Sequence, residues 1–197
     1  MIRRIVFGVS GASGMPLAVA TLRAFRGVKN LETHLVVSQK SSIVLEKESG
    51  MKPADLAGLA DAVYDAADMG AGPASGSWKC SGMVVCPCSM STLASIATGA
   101  GQNLLHRACD VCLKERRPLV LVARETPLSL IHFKNMQAVT EAGATVMPFM
   151  PSFYAGTLDL ERLMAAFAGR ILDQFGIDSD LCLRWKGGKG NDGVSVR

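Results

Sequence analysis

Long apolar runs are absent from this sequence of 197 residues, although 49% of its residues are hydrophobic. Glycine, serine or a charged residue interrupts every candidate run, so none reaches the roughly 20 residues that a membrane-spanning helix needs. The apolar stretch after Arg3 and Arg4 stops at Gly8, which is too short for a secretory signal. We therefore expect a soluble, cytoplasmic protein with no membrane partner.

Aromatic residues are also scarce, at 6% of the chain. Most of the formal net charge of +4 falls in the segment from Arg184 onward, so the rest of the chain is nearly neutral. Nucleic-acid binders usually combine a basic stripe with interleaved aromatic residues. We therefore expect no nucleic-acid partner.

Six cysteines raise the question of disulfides or a metal site. Cys86, Cys88, Cys109 and Cys112 have spacings that could be drawn as a zinc site. However, Cys109 and Cys112 fall within an apolar helical stretch and Cys86 ends a predicted strand, where thiols behave as small hydrophobic groups. The three histidines are scattered along the chain, so we expect buried thiols and no metal.

Apolar runs alternate with segments of helical period along the chain. Five runs are predicted as strands: Arg3–Val9, Thr33–Ser38, Gly82–Cys86, Leu119–Val122 and Ala144–Pro148. These runs are apolar on both faces, which is typical of a parallel sheet covered by helices on both sides. We therefore predict a single-domain α/β fold with a doubly wound, Rossmann-like parallel sheet over residues 1–185, and a mobile glycine-rich tail over 186–197.

Two helices have clear apolar stripes. The first begins after Gly14 and should bury Leu17, Leu22 and Phe25, and the last should bury Leu160, Leu163, Met164, Phe167, Ile171 and Phe175. The segment Asp65–Ser77 does not fit the alternation of strands and helices. We predict that it is a functional loop.

The segment Ser10–Gly14 joins the first strand directly to the first helix. Glycines there let the backbone approach a ligand, and the free N–H groups of a helix start favour an anion. An ordinary tight turn is the alternative. The motif does not match Gly-x-Gly-x-x-Gly, and the second strand ends at Ser38 instead of an acidic residue, so NAD is disfavoured and a mononucleotide such as FMN remains open.

A second junction of this kind follows the strand that starts at Gly82. Hydroxyl groups at Ser89, Ser91 and Thr92 stand at a predicted helix start, where they could bind a ligand or simply cap the helix. Two such junctions in one parallel sheet favour a ligand, because ligands bind outside the carboxyl ends of the strands.

Charged residues cluster between positions 107 and 125. Arg107 and Lys114 are seven residues apart on a helix predicted over Leu104–Arg117, so they share one face. Arg124 and Glu125 directly follow a predicted strand, at the same sheet edge as the serine loops. Surface charges without a function are the alternative.

These segments together resemble the flavin prenyltransferase family. Six motifs, in register from about Arg3 to Trp185, carry the likeness: Gly11-Ala12-Ser13-Gly14, Ser75-Gly76-Ser77-Trp78, Pro87-Cys88-Ser89, Arg107–Arg117, Arg124-Glu125-Thr126-Pro127-Leu128 and Pro151-Ser152-Phe153-Tyr154. The resemblance implies a flavoprotein fold and metal-independent transfer of a dimethylallyl group from dimethylallyl monophosphate to N5 and C6 of reduced FMN. It also implies a large homo-oligomer, commonly a dodecamer with sites shared between subunits, whose prenylated FMN serves partner decarboxylases of aromatic or unsaturated acids.

The resemblance also implies roles for individual residues. FMN would bind Gly11, Ala12, Ser13, Ser38, Ser89, Met90, Ser91, Thr92, Arg107 and Arg124. The prenyl phosphate would bind Lys114, Arg124, Glu125, Tyr154 and Arg170. The implied catalytic residues are Ser13, Glu48, Lys114, Arg124 and Glu125, with Glu48 working with Ser13 as an acid–base residue.

Three other functions remain as alternatives. A flavin-dependent cysteine decarboxylase has the same broad fold, but it normally carries a Met-Asn pair, whereas this chain has Asn135-Met136 in the reverse order. A non-catalytic flavin carrier would not need the second phosphate site. A direct aromatic-acid decarboxylase is the third.

The chain departs from the family pattern at two positions. Ala123 stands where members of the family often have a proline, and Met69 stands where some of them have an aromatic residue.

Overall fold

The computed structural model describes residues 2–153 and 158–185. Tyr154 and the predicted tail 186–197 lie outside this part of the chain. The described strands pair in parallel in one sheet of order β3-β2-β1-β4-β5-β6. They are β1 Arg3–Val9, β2 Leu31–Val37, β3 Ala62–Asp65, β4 Gly82–Cys88, β5 Leu119–Ala123 and β6 Thr145–Val146.

Helices cover both faces of this sheet, which confirms the predicted fold class. They are α1 Met15–Arg26, α2 Ser41–Ser49, α3 Pro53–Ala57, α4 Met90–Thr98, α5 Leu104–Lys114, α6 Leu130–Glu141 and α7 Leu160–Asp173. Alternate β1 side chains enter two separate apolar cores: Phe7 packs in the core that includes α1 and α7, and Val6 in the core that includes α4 and α5. None of the described helices is long and apolar enough to cross a bilayer.

The short strand β3 was not predicted. It has only four residues, and its side chains alternate between half-buried and exposed positions, so it lacks the continuous apolar run of the inner strands. Asp65 therefore ends a strand instead of opening the predicted loop Asp65–Ser77, and that loop contains a short 3-10 turn at Gly72–Ala74.

Strand β4 continues past its predicted end at Cys86. Pro87 cannot donate a ladder hydrogen bond, but the pairing with β5 shifts register between Val85 and Cys88, and such an irregularity accommodates a proline. Strand β6 spans two residues instead of the predicted Ala144–Pro148.

Two predictions about helices were also wrong in part. Helix α5 ends at Lys114 instead of Arg117, because Arg116 adopts the left-handed conformation with φ of 55°. Leu160 is 58% exposed at the start of α7, although the rest of the predicted stripe is buried. The inward positions Leu17, Leu22 and Phe25 of α1 are confirmed.

Candidate active site

A groove opens at the carboxyl edge of the sheet, where the strand order reverses between β1 and β4. Its volume is ≈ 540 Å³. Lining residues come from the loops after β1, β2, β3 and β4 and from the start of α5; they include Gly11, Ser38, Ala66, Ser89, Ser91, Thr92, Asn103 and His106. This is the position at which open parallel sheets bind ligands.

The loop after β1 is fixed by close packing and by one buried hydroxyl. The Ser10 hydroxyl donates to the Pro87 carbonyl at 2.9 Å and accepts from the Ser89 N–H at 2.8 Å, so it joins the β1 and β4 loops. At Gly11, a Cβ would lie 3.2 Å from the Lys40 Cβ, which leaves little room for a side chain. Gly14 has φ of 115°, a conformation that favours glycine, and it begins α1.

Ser38 presents an unusual polar atom to the groove. Its Oγ is buried and has no hydrogen-bond partner among the described residues. A buried polar group without a partner costs roughly 1–3 kcal/mol. The Ser38 hydroxyl is therefore suited to bind a polar ligand group in the groove.

The turn before α4 combines capping with ligand-facing groups. The Ser89 Oγ accepts from the Thr92 N–H at 3.2 Å, so Ser89 is the N-cap of α4. Ser91 is exposed and Thr92 lines the groove, whereas the Met90 side chain packs in the core. Ser89 therefore caps the helix, as the capping interpretation predicts, and Ser91 and Thr92 line the groove, as the ligand-binding interpretation predicts.

Glu48 on α2 lies against the start of α1. Its Oε2 accepts from the N–H groups of Gly14 at 2.8 Å and Met15 at 2.9 Å, and Ser13 also hydrogen bonds to the carboxylate. Partial burial raises the pKa of Glu48, but the hydrogen bonds from Ser13, Gly14 and Met15 and the charge of Arg124 outweigh it, so the pKa falls below its ordinary value of 4.5. Glu48 is therefore a carboxylate at neutral pH, able to accept a proton.

Arg124 and Glu125 directly follow β5, at the predicted sheet edge. The Arg124 N–H donates to the Cys88 carbonyl at 3.3 Å, which ties this loop to the end of β4. The effect of Arg124 on the pKa of Glu48 puts its guanidinium within electrostatic reach of the α1 start. The Glu125 side chain is exposed and accepts from the Thr126 N–H at 3.0 Å.

Nine of the predicted site residues that the structure describes are not among those that line this groove: Ala12, Ser13, Glu48, Met90, Arg107, Lys114, Arg124, Glu125 and Arg170. Three of the nine make contacts elsewhere in their own chain. Arg107 donates to the Ala74 carbonyl at 3.1 Å and pairs with Asp110. Lys114 pairs with Glu115 at the far end of α5, about 15 Å from Leu104 at a rise of about 1.5 Å per residue. Arg170 pairs with Asp173 at 2.7 Å and lines a separate cavity of ≈ 130 Å³ beside Met147 and Leu183.

Sequence reasoning missed two residues that position the site. The segment Ser10–Gly14 predicts an anion site or a tight turn, whereas the role of Ser10 as a bridge depends on the register between β1 and β4, which the sequence does not show. Arg117 donates to the carbonyls of Gly76 at 2.6 Å and Trp78 at 3.0 Å, so it fixes the segment before β4 against the end of α5.

The model of the flavoprotein family matches residues 1–171 of the chain. A flavin prenyltransferase UbiX from Deinococcus radiodurans is 48% identical over 183 residues, which cover 93% of each chain. The flavin prenyltransferase UbiX from Escherichia coli K12 is 44% identical over 94% of this chain and 99% of its own.

The chain belongs to the flavin prenyltransferase family. A crystal structure described as AnUbiX (PadA1) in complex with FMN and dimethylallyl pyrophosphate covers 96% of this chain and all of that one, with a TM-score of 0.92 and 46% identity. A structure described as a dodecameric FMN-dependent UbiX-like decarboxylase from Escherichia coli O157:H7 has a TM-score of 0.90 and 44% identity over 93% of this chain and all of that one. The peptidyl-cysteine decarboxylase EpiD, at 16% identity and a TM-score of 0.58, shares the fold alone.

Proposed function

We propose that this flavin prenyltransferase family member joins a dimethylallyl group to N5 and C6 of reduced FMN, with dimethylallyl monophosphate as the donor. The observation that carries the proposal is the groove at the sheet edge, where the unpartnered Ser38 hydroxyl and two helix starts meet in a chain that belongs to this family. The relatives named as flavin prenyltransferases match 93% and 94% of this chain.

The residues of the groove fit FMN. The buried Ser38 hydroxyl needs a polar partner, and the close approach of Gly11 to Lys40 leaves backbone, not side chains, facing a ligand. The start of α4 favours a phosphate, whereas the N–H groups of Gly14 and Met15 at the start of α1 already donate to Glu48. We assign FMN binding to Gly11, Ala12, Ser13, Ser38, Ser89, Met90, Ser91, Thr92, Arg107 and Arg124.

In this proposal cationic side chains promote departure of the phosphate. Arg124, which directly follows β5, forms the prenyl phosphate site together with Lys114, Arg170, Glu125 and Tyr154. Hydrogen bonds from charged groups contribute about 1.5–3 kcal/mol each, and they strengthen as negative charge develops on the leaving oxygen. The flavin supplies the nucleophilic atoms and a π face for the allyl fragment, so the protein chiefly orients the two substrates and excludes water.

We assign to Glu48 the proton transfer of the second bond-forming step. Forming the bond to N5 releases the phosphate and the N5 proton, whereas closing the ring at C6 requires that the neighbouring alkene carbon of the allyl group gain a proton and that C6 lose one. The Glu48 carboxylate is ionised, lies beside Ser13 and is held by two backbone N–H groups.

The positions of Lys114 and Arg170 support a site shared between subunits. Both lie away from the groove of their own chain, so a second and a third chain would have to bring them to it. One solved relative is described as dodecameric. We propose the same assembly here, with prenylated FMN passed to a partner decarboxylase. All six cysteines are free thiols, which fits a reducing cytoplasm.

A coupled assay tests this function. Reduced FMN and the chain are incubated with dimethylallyl monophosphate or, in a parallel arm, with dimethylallyl pyrophosphate, and the filtrate is added to an apo decarboxylase that requires prenylated FMN. We expect activation in the monophosphate arm and none when the prenyl phosphate is omitted. A carrier would activate the client only with preformed prenylated FMN, and a direct decarboxylase would release carbon dioxide from cinnamic acid without any client.

A further inference from the structure

Asp173, the last residue of α7, accepts hydrogen bonds from two arginines. Its Oδ2 accepts from Arg170 Nη1 at 2.7 Å and from Arg184 Nη1 at 2.6 Å, and its Oδ1 accepts from Arg184 Nη2 at 2.7 Å. The Asp173 side chain is 16% exposed, whereas that of Arg170 is 52% exposed. The carboxylate is therefore the inner member of this cluster, and Arg170 is an outer member that a ligand can reach.

Arg184 fixes the Asp173 carboxylate in place. It lies in the segment after α7, and its two parallel N–H donors bind both carboxylate oxygens, a geometry that sets the distance and the plane of the pair. The hydrogen bond from Arg184, with the charges of both arginines, lowers the pKa of Asp173 against the opposing effect of burial. Arg170 therefore meets an acceptor that is already charged and oriented.

This contact leaves most donors of Arg170 available. Within the part of the chain that the structure describes, only its Nη1 makes a hydrogen bond. A guanidinium carries five N–H donors in a planar fork, so Nε and Nη2 can still bind a phosphate. Two arginines and one carboxylate leave the cluster with a net charge of +1, so it still attracts an anion, whereas an isolated pair of Arg170 and Asp173 would be neutral.

Arg170 also lies beside a motif of the proposed prenyl phosphate site. Its side chain lines the cavity of ≈ 130 Å³ together with Pro151 and Ser152. These two residues begin the motif that ends at Tyr154, and the proposed function assigns Tyr154 to the same phosphate as Arg170. The cluster therefore presents Arg170 next to the segment that leads to another residue of that site.

We propose that Asp173, held by Arg184, is a positioning residue that orients Arg170 for the prenyl phosphate. This inference rests on the proposed function, which assigns Arg170 to that phosphate. Asp173 acts only through Arg170, because its own negative charge would repel a phosphate. An arginine that is oriented before the substrate arrives loses less conformational freedom on binding, so Asp173 strengthens the binding of the prenyl phosphate.

Asp173→Asn tests the proposal, since the amide keeps the size of the side chain and removes its charge. Dimethylallyl monophosphate is titrated calorimetrically into the full chain loaded with oxidised FMN, whose N5 is not nucleophilic. We expect the Kd for the prenyl phosphate to rise about tenfold and the affinity for FMN to stay unchanged. Asp180→Asn, which removes an exposed carboxylate in the segment after α7, should bind as the wild type does.

Arg184→Lys tests the same positioning without a change at Asp173. Lysine keeps the positive charge but cannot make two parallel hydrogen bonds to one carboxylate. The Kd for the prenyl phosphate should therefore rise, by less than in Asp173→Asn. A Kd equal to that of the wild type would show that Arg184 does not hold the carboxylate for Arg170.

A double-mutant cycle separates positioning from a merely structural role. In an Arg170→Ala background, Asp173→Asn should cause no further loss of affinity, because the side chain that Asp173 orients is gone. Equal losses in the two backgrounds, or an Asp173→Asn chain that binds as tightly as the wild type, would overturn this inference and leave the proposed function intact. A wild type that binds no dimethylallyl monophosphate would overturn the proposed function and this inference with it.

Discussion

Ser38 has a buried hydroxyl oxygen that finds no hydrogen-bond partner among the described residues, although it follows directly on an inner strand. Folding alone gives no reason to keep a hydroxyl there, because alanine would avoid the cost of the unpaired group. A polar ligand group in the groove supplies that reason. The position of Ser38 after the second strand was predicted from the sequence, but its unpaired state depends on neighbours that only the structure shows.

Ser38→Ala should weaken FMN binding by about tenfold, the effect of losing one hydrogen bond worth roughly 1.5 kcal/mol. The free energy of unfolding without ligand should stay the same or rise slightly, since a buried unpaired group is removed. Flavin fluorescence titration and urea unfolding measure the two quantities. Ser42→Ala, at a half-buried position of α2 whose hydroxyl donates to the Gln39 carbonyl, is the control. Unchanged FMN affinity in Ser38→Ala would show that the Ser38 hydroxyl does not bind the flavin.

Glu48→Gln should slow ring closure at C6 far more than formation of the bond to N5. The amide oxygen can still accept from Gly14 and Met15, but an amide cannot take up the proton. Single-turnover reactions, quenched and followed by absorbance and mass spectrometry, distinguish flavin joined by one bond from flavin joined by two. Complete ring closure at the wild-type rate would show that Glu48 transfers no proton and only caps the start of α1.

The lowered pKa of Glu48 also predicts how the free energy of unfolding depends on pH. The pKa of Glu48 is lowered in the folded chain, so its stabilising contribution is present above the unfolded pKa of about 4.5 and is lost as pH falls through the lower folded value. Urea unfolding of the wild type and Glu48→Gln should therefore differ at pH 7 and converge as the pH is lowered below 4. A difference that persists unchanged in acid would contradict this assignment.

At the scale of elements, the sequence predicts the inner strands and the long helices well and the margins poorly. Strands β1, β4 and β5 are buried on both faces, so their continuous apolar runs identify them. Strand β3 lies at the sheet edge with alternating burial, and the end of α5 depends on the left-handed Arg116, so neither leaves an apolar signal.

The bridge made by Ser10 is an example of a contact between elements that the sequence conceals. Ser10→Ala should lower the free energy of unfolding by about 1–3 kcal/mol, because the half-buried Ser89 N–H loses its acceptor and the Pro87 carbonyl loses its donor. FMN affinity should fall as well, since the β1 and β4 loops are no longer joined. Ser91→Ala, an exposed change in the same β4 loop, should leave stability unchanged. Equal stability of Ser10→Ala and the wild type would show that the bridge is dispensable.

At the scale of the whole molecule, the proposed site is divided between distant regions of one chain. The helical spacing of Arg107 and Lys114 was predicted, but their distance from the groove was not, since it depends on how α5 lies along the sheet. Arg170 likewise lies on α7, away from the groove. The proposed function therefore requires contacts between chains to complete the site.

Mixed oligomers test this division. Arg124→Ala and Arg170→Ala each remove an arginine of the proposed prenyl phosphate site, and the proposal takes the two arginines of one site from different chains, so each variant alone should be nearly inactive. Co-assembled chains should recover up to about a quarter of wild-type activity, because random assembly completes that share of sites from two intact halves. A mixture of Arg124→Ala with Glu48→Gln, which interact within one chain, should recover none. Equal recovery in the two mixtures would contradict a shared site.

The central claim, that this chain prenylates reduced FMN in the groove at the sheet edge, is tested most directly by the mass of the flavin. Reduced FMN is incubated anaerobically with the wild type and dimethylallyl monophosphate, and the molecular mass of the extracted flavin is measured by mass spectrometry. We predict a flavin heavier by one prenyl unit and the release of one inorganic phosphate for each flavin converted. Unmodified FMN recovered from fully loaded protein, with the prenyl phosphate intact, would contradict the account.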